Sequence, residues 1–341
     1  MQKVKIGIVG LGRLGMKHAE NLAFYINGSE LVAACSIAEH ELVAAKENLG
    51  VENCYDSFDE MLKNEEVEAV VIASTSSQHC EQIKTALDAG KHVFSEKPLG
   101  IDVDQCRIAE KAVEEHPEKV FMLGFMRRYD PSYVYAKDKV DNGHVGTPYL
   151  FKGTGMDPIS CIEGALEYAG GSGGIFIDLG IHDIDLFRWF LGEDPIEVYA
   201  LGSSYAFPKF SEVGDAEAGC AIYKFASGKI AMMHCARAAV HGYHIETEII
   251  GTEGSVRVSP VPQKNLAMLF NSSGAVTECV ETFPERFAES YRLELQEFVD
   301  CVQQGRKPHV VVQDGTKSTQ IALATKEAFE SGKTVKIDYD K

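Results

Sequence analysis

"VKIGIVGLGRLG", residues 4–15, runs a short apolar segment straight into three glycines, Gly10, Gly12 and Gly15, spaced G-x-G-x-x-G. That spacing alone is weak. Here it follows a strand-like run, Val4 to Val9, and opens a helix-like one, and this context gives it chemical meaning. Glycines at these positions permit a tight turn and bring backbone N–H groups close to a pyrophosphate. The N-terminus of the helix adds partial positive charge. The stretch predicts a dinucleotide site at Gly10, Gly12, Arg13, Leu14 and Gly15.

Working outward, the first third of the chain keeps alternating. "LVAACS" (31–36), "AVVIAS" (69–74), "HVFSEK" (92–97) and "VFMLGF" (120–125) read as further buried strands, with amphipathic stretches between most of them. Strand, helix, strand at this spacing means parallel pairing through right-handed crossovers. The expected fold is α/β: a Rossmann-type doubly wound parallel sheet over residues 1–124. Ligands of such sheets bind beyond the carboxyl ends of the strands.

After about residue 125 the pattern changes. "GTPYLFKGTG" and "EVYALGSSY" look like strands, and "GCAIYKFASGKIAMMHCARA" like a hairpin turning at Ser227-Gly228. "HIETEIIGTEGSVRVS" and "AMLFNSSGAVTECV" add two more turns, and two late amphipathic helices follow. Strands joined by short turns pair antiparallel. Residues 125–341 therefore read as an α+β domain for substrate binding and oligomerisation, with a large, mostly antiparallel open sheet of meander-like order. Its open face would expose apolar area, which favours association of copies.

Bulk properties narrow the function. With 341 residues the chain suits two domains. A formal charge of −18 argues against binding nucleic acid, which needs clustered Lys and Arg. Nine dispersed cysteines without a CxxC pair suit a reducing cytoplasm better than a disulfide framework. No apolar run reaches the length of a membrane span, and "MQKVKIGIVG" starts a strand at once instead of a leader.

Four further places carry chemistry. In "FSEKPLG" (94–100), Pro98 bars a helical conformation at Lys97 and mounts it as a rigid cation at a strand end. In "DLGIHDID" (178–185), Asp178 and His182 are four apart and Asp185 three further on. On a helix they share one face, and a carboxylate beside an imidazole orients it and stabilises its protonated form. An N-capping aspartate beside a packed histidine, or a divalent-metal site, are the other readings; no cysteine stands nearby at ligand spacing. "GGSGG" (170–174), just upstream, reads as a flexible approach. In "GFMRRYDPSY", Arg127 and Arg128 are candidates for facing the cleft between domains, or for ordinary surface ion pairs. At the end of the second strand stands Ser36, where an acid would grip the ribose of NAD. A serine tolerates a 2′-phosphate, with Arg13 or His40 in reach, so both NAD and NADP stay open.

Taken in order, the glycine turn, "SEKPLG" (95–100), "GFMRRYD" (124–130) and "DLGIHDID" resemble the Gfo/Idh/MocA oxidoreductases, and within them the branch that oxidises inositols. The resemblance spans nearly the whole chain. It implies that Lys97 contacts substrate and nicotinamide, that Asp178 and His182 are catalytic, and that Lys97–Pro98 is often cis. It places Glu96, Ser74, Thr75, Ser76 and His79 beside the cofactor. The substrate would be a small polyol or sugar recognised by Lys97, Arg127, Asp157, Asp178, His182 and His241, with no metal, in a homotetramer or homodimer. Certain positions differ from the branch: Ser74-Thr75-Ser76 replaces Thr-Pro-Asn, Gly155-Met156-Asp157-Pro158 replaces His-x-Asn-Pro, His241-Gly242-Tyr243 replaces Tyr-Gly-Tyr, and Asp178-Leu179 replaces Asp-Thr. The implied activity is NAD(P)-dependent oxidation of a secondary hydroxyl. Its rival is a non-catalytic dinucleotide-binding regulator, which has no need of a lysine and a proton acceptor.

Overall fold

Short, mainly apolar runs become six parallel strands in the computed structural model, which describes residues 2–340. The elements are β1 (Val4–Val9), α1 (Arg13–Phe24), β2 (Ser29–Cys35), α2 (Glu39–Leu49), β3 (Asn53–Tyr55), α3 (Phe58–Leu62), β4 (Ala69–Ile72), α4 (His79–Asp88), β5 (His92–Glu96), α5 (Val103–Glu115) and β6 (Phe121–Gly124). Their order is β3-β2-β1-β4-β5-β6, parallel throughout. The order reverses between β1 and β4, and such a switch point is where a doubly wound sheet binds its ligand. Only β3, three half-buried residues, was not legible in the sequence.

The chain divides into two compact units, and the division is not the single cut expected after Gly124. The first unit runs to Tyr129 and regains Glu289–Thr319; the second holds Asp130–Ala288 and resumes at Gln320. The cause is α12 (Ala288–Gln304). Its buried stripe includes Tyr291, Glu294, Leu295, Phe298 and Val299, at helical spacing. Leu295, Phe298, Val299 and Cys301 join one core with Ile6, Ile8, Phe94 and Met122. Periodicity shows that a helix has a buried face; it does not show which sheet the face covers.

The second unit contains α6 (Pro131–Asp141), β7 (Pro148–Pro158), α7 (Ile162–Tyr168), α8 (Ile175–Asp178), α9 (Ile181–Leu191), β8 (Pro195–Ser203), α10 (Lys209–Glu212), β9 (Ala218–Phe225), β10 (Ile230–Ala239), β11 (His244–Gly251), β12 (Ser255–Val258), β13 (Leu269–Asn271), β14 (Gly274–Val276) and α11 (Phe283–Arg286). α13 (Val312–Ser331) and β15 (Val335–Lys336) close the chain. Asp130 caps α6 by accepting from the Ser132 and Tyr133 N–H groups, with Pro131 in the first turn. The large sheet is ordered β12-β11-β7-β10-β9-β8-β15. It is mostly antiparallel, as expected, but it is not a meander: β7 inserts between β11 and β10 and runs parallel to β10. The hairpins were readable because their turns are local. The partner of β7 lies some 80 residues away, a pairing no local signal records.

"GGSGG" is also not a loose linker. Gly173 and Gly174 take φ of +85° and +95°, the left-handed region that glycine tolerates. Gly174 precedes α8, whose first N–H, from Ile175, donates to Asp215 at 2.8 Å. The glycines here make a capped corner.

Candidate active site

Each glycine of the opening turn has its own geometric reason. Gly10 has φ +84°, and a Cβ there would lie 2.6 Å from the Ala73 backbone. At Gly15 a Cβ would strike the Gly10 carbonyl at 1.9 Å, so this residue lets α1 close onto β1. Gly12 meets nothing within 4 Å. It is the N-cap of α1 and brings no capping side chain to the first-turn N–H groups. Open space above an uncapped helix N-terminus fits a pyrophosphate, whose oxygens would accept from that turn. The residues present therefore suit a dinucleotide.

The ribose end holds an acid that sequence reading missed. Ser36 is buried, and its hydroxyl donates to the Glu41 carboxylate and accepts from the Ala38 N–H. Glu41 stands six residues past the end of β2, in the first turn of α2, so inspection of the strand end alone overlooks it. A carboxylate here favours ribose hydroxyls and repels a 2′-phosphate.

On the nicotinamide side, the Ser74 hydroxyl donates to Gln82 at 2.6 Å. Thr75 is exposed, and Ser76 begins a short 3₁₀ turn. His79, at the start of α4, lies inside the first unit. It is 1% exposed, with Nδ1 2.7 Å from the Pro98 carbonyl and Nε2 3.2 Å from the Ser74 carbonyl. Burial holds its pKa below the usual imidazole value, so the ring is neutral at pH 7 and carries one N–H. That proton belongs on the shorter contact, and His79 ties the Pro98 loop to the loop after β4.

Lys97 stands immediately after β5, half-buried, with a cis bond to Pro98. Its backbone N–H donates to Glu96 Oε2 at 3.0 Å. Glu96 is itself buried, and its Oε1 lies 2.7 Å from His18 Nε2. Arg128 pairs with Asp314 at 3.2 Å, as a structural ion pair. Arg127 is buried, 1% exposed, in the short 3₁₀ turn after β6.

In the second unit the Asp178–His182 segment is two helices, not one. α8 ends at Asp178 and α9 begins at Ile181. Leu179 and Gly180 keep right-handed helical dihedrals, so the four-residue spacing still makes about one turn. Gly180 has to be small: a Cβ would sit 2.7 Å from the Phe176 carbonyl. His182 and Asp185 are buried on α9. Neighbouring Asp183 lies over β7, where a Cβ on Gly153 would meet its Oδ1 at 2.6 Å.

Asp178 accepts a hydrogen bond from Arg237 Nη1 at 3.2 Å. Arg237 was not singled out in the sequence. It is fully buried on β10 and also reaches Asp215 at 3.4 Å and the Tyr168 hydroxyl at 3.4 Å. Burial opposes its charge, but Asp178, Tyr168, Asp215 and Asp157 together keep its pKa above the usual arginine value. The available signal was an arginine among the apolar residues of "IAMMHCARAA", since an interior strand keeps a cation only when acids match it. Asp157, on β7, is among those acids. His241 is exposed, its Nε2 3.0 Å from His244 Nδ1. A cavity lined by Ser132, Tyr243, Ile245, Lys264 and Arg286 also lies in this unit and contains none of the candidate catalytic residues.

Comparison with known proteins accords with this geometry. Residues 4–125 match an oxidoreductase family's NAD-binding Rossmann fold, and residues 137–337 match the same family's C-terminal alpha/beta domain. The chain is 33% identical over 338 residues to a scyllo-inositol 2-dehydrogenase (NAD(+)) of Bacillus subtilis, covering 98% of this chain and 97% of that protein. A scyllo-inositol dehydrogenase of Lactobacillus casei, solved with bound NAD(H) and scyllo-inositol, superposes with a TM-score of 0.96 at 42% identity, covering 98% and 99% of the two chains. A myo-inositol 2-dehydrogenase of Lactobacillus plantarum gives 0.97 at 42% identity, covering 99% and 100%. With an uncapped, glycine-lined helix N-terminus at the switch point of a parallel sheet and both domains matched along their length, the chain belongs to the Gfo/Idh/MocA oxidoreductase family.

Proposed function

We propose that the chain is an NAD-dependent dehydrogenase that oxidises a secondary hydroxyl of an inositol to the ketone. The observation that carries this reading is its likeness, over nearly the full chain, to the dehydrogenase solved with NAD(H) and scyllo-inositol. NAD supplies the hydride acceptor. His182 takes the hydroxyl proton as general base. Asp178, its charge matched by Arg237, stabilises the imidazolium that results. Lys97 donates a hydrogen bond to the oxygen while negative charge develops on it. Asp157 and His241 recognise other hydroxyls of the ring. His79 and Glu96 hold the backbone on either side of Lys97–Pro98.

The deciding experiment is turnover of a panel of inositol isomers and simple sugars with NAD and NADP, followed at the nicotinamide absorbance band. Oxidation of at least one inositol is the expected result; a panel without turnover sinks the reading. Glu41 makes the dinucleotide preference predictable. At about 5 Å, a carboxylate and a 2′-phosphate repel by about 1–3 kcal/mol at effective dielectric constants between 80 and 20. NAD is therefore expected to be favoured by about 10- to 100-fold in kcat/KM, and Glu41→Gln to narrow the gap. Equal use of both dinucleotides would remove Glu41 from that role.

The same reading includes self-association through the large sheet. Alternation along the strands leaves Tyr199, Leu201, Ile222 and Met232 between 39% and 58% exposed. Tyr199, Ile222 and Met232 are direct cross-strand neighbours and form one apolar row. Such a row favours burial against a second copy, giving a homodimer or homotetramer. The double change Ile222→Glu with Met232→Glu is expected to lower the mass found by sedimentation. An unchanged mass would place the interface elsewhere. A reducing, cytoplasmic setting suits nine cysteines of which none forms a disulfide.

A further inference from the structure

Within the first unit, three groups that ionise in water meet in an aromatic interior. His18 on α1, Glu96 on β5 and Glu294 on α12 are all buried. One ligand atom from each, a ring nitrogen and two carboxylate oxygens, lie within 4.8 Å of one another. The Phe94 and Tyr291 rings pack edge-on to His18, and Phe298 packs on Phe94. Glu96 spends one oxygen on His18 and the other on the Lys97 N–H. Neither oxygen of Glu294 has a hydrogen-bond partner among the described residues, and the side chain has no exposed surface.

Three chemical states fit an acid placed this way: an ion, a metal ligand or a neutral acid. A second carboxylate anion beside Glu96, in an interior lined by Phe94, Phe298 and Tyr291, combines desolvation with like-charge repulsion. A shared metal fits the distances poorly. His18 Nε2 and Glu96 Oε1 are 2.7 Å apart, a hydrogen-bond length, whereas two ligands on one zinc-sized ion stand about 3.3 Å apart. The neutral acid costs least. Retaining a proton at pH 7 on a group with an ordinary value of 4.5 costs about 300-fold in equilibrium.

We infer that Glu294 is a neutral carboxylic acid in the folded protein and a positioning residue for Lys97, acting through Glu96. The acid O–H is directed to the Glu96 and His18 pair through one water, since neither Glu294 oxygen reaches them at hydrogen-bond distance. It holds the Glu96 carboxylate in the orientation that accepts the Lys97 N–H. Burial first, and then the charge of Glu96, push the Glu294 pKa well above the usual carboxylate value. Gly124 leaves room for this arrangement, since a Cβ there would lie 2.9 Å from the Phe94 ring and 3.3 Å from Glu96 Oε1. The role rests on the proposed dehydrogenase reading, because positioning Lys97 matters only if Lys97 touches the reacting oxygen.

The pH signature has a definite sign. Below about 4.5 both the folded and the unfolded chain hold this proton. Above it the unfolded chain releases the proton while the folded chain keeps it. Glu294 thus lowers the folded-to-unfolded ratio by up to about tenfold per pH unit until its own raised pKa is reached. The titratable groups that face it are His18 from α1, Glu96 from β5 and the Tyr129 phenol, whose pKa Glu294 helps to raise. Glu294→Gln removes the proton linkage and keeps a neutral hydrogen-bond donor of the same shape.

The test compares the full-length wild type, Glu294→Gln and Glu294→Leu. Infrared spectra at pH 8 are expected to show a protonated-carboxyl C=O band in the wild type that Glu294→Gln lacks. Denaturant titrations between pH 5 and 8 are expected to show the wild type losing stability relative to Glu294→Gln by up to about tenfold per pH unit. With NAD and scyllo-inositol, Glu294→Gln keeps kcat within about threefold, while Glu294→Leu lowers kcat by about tenfold or more with KM little changed. Absence of the band, parallel pH profiles, stoichiometric divalent metal in the purified protein, or an unchanged kcat in Glu294→Leu each overturn the inference. If Glu294→Leu does not fold, the infrared and stability comparison of wild type with Glu294→Gln decides alone. Should the wild type turn over no inositol, the dehydrogenase reading fails, while those two measurements still report on the acid.

Discussion

Replacing His182 by alanine is expected to lower inositol oxidation by about two to four orders of magnitude, the range for loss of a positioned general base. Hydride transfer from a carbinol carbon yields the neutral ketone only when the hydroxyl proton also leaves. Without the imidazole that proton has water as its acceptor, which is weaker and not oriented. The fold is expected to survive, because alanine has a high helix propensity and position 182 lies in the first turn of α9. NAD binding is expected to stay within about threefold of wild type, since the glycine turn, Ser36 and Glu41 belong to the other unit. Steady-state rates with a scyllo-inositol substrate, paired with a dinucleotide-binding titration, check both halves. Turnover within tenfold of wild type would mean that another group takes the proton.

Lys97→Ala is the second large effect, a loss of about 100-fold or more in kcat with folding intact. The ammonium is mounted directly after β5, with its backbone tied to Glu96. A donor fixed in advance costs no reorganisation when charge develops on the substrate oxygen, and so its effect falls on kcat more than on KM. Lys97→Arg is expected to restore little, because a planar guanidinium cannot place a single donor where the compact ammonium stood. Circular dichroism and a thermal melt establish folding. Near-normal kcat in Lys97→Ala would remove the residue from the mechanism.

How far the sequence could be read depended on the range of each interaction. The glycine turn was legible because G-x-G-x-x-G encodes a local backbone path, and Gly10 and Gly15 then proved to have steric causes. Five of the six parallel strands were legible because both faces of such a sheet are buried and the runs are nearly all apolar. Lys97 stood out because proline marks it. Arg237 and Glu294 did not stand out, although each is a charged residue type on a buried stripe. The signal was present at both, but it names no partner. Arg237 meets Asp178 and Asp215 at separations of 59 and 22 residues, and Glu294 meets Glu96 from a helix that periodicity alone could not assign to the first sheet.

From sequence alone followed the class of the fold, the dinucleotide turn, the lysine at the strand end and the aspartate–histidine spacing, since each is written within a dozen neighbouring residues. Tertiary structure alone decided that β7 lies between β10 and β11, that α12 returns to the first unit and that Arg237 matches Asp178. The physical reason is one of range. Backbone preference and hydrophobic period act over a few residues. The pairing of buried charges and the choice of strand neighbours are settled only when distant segments are desolvated together.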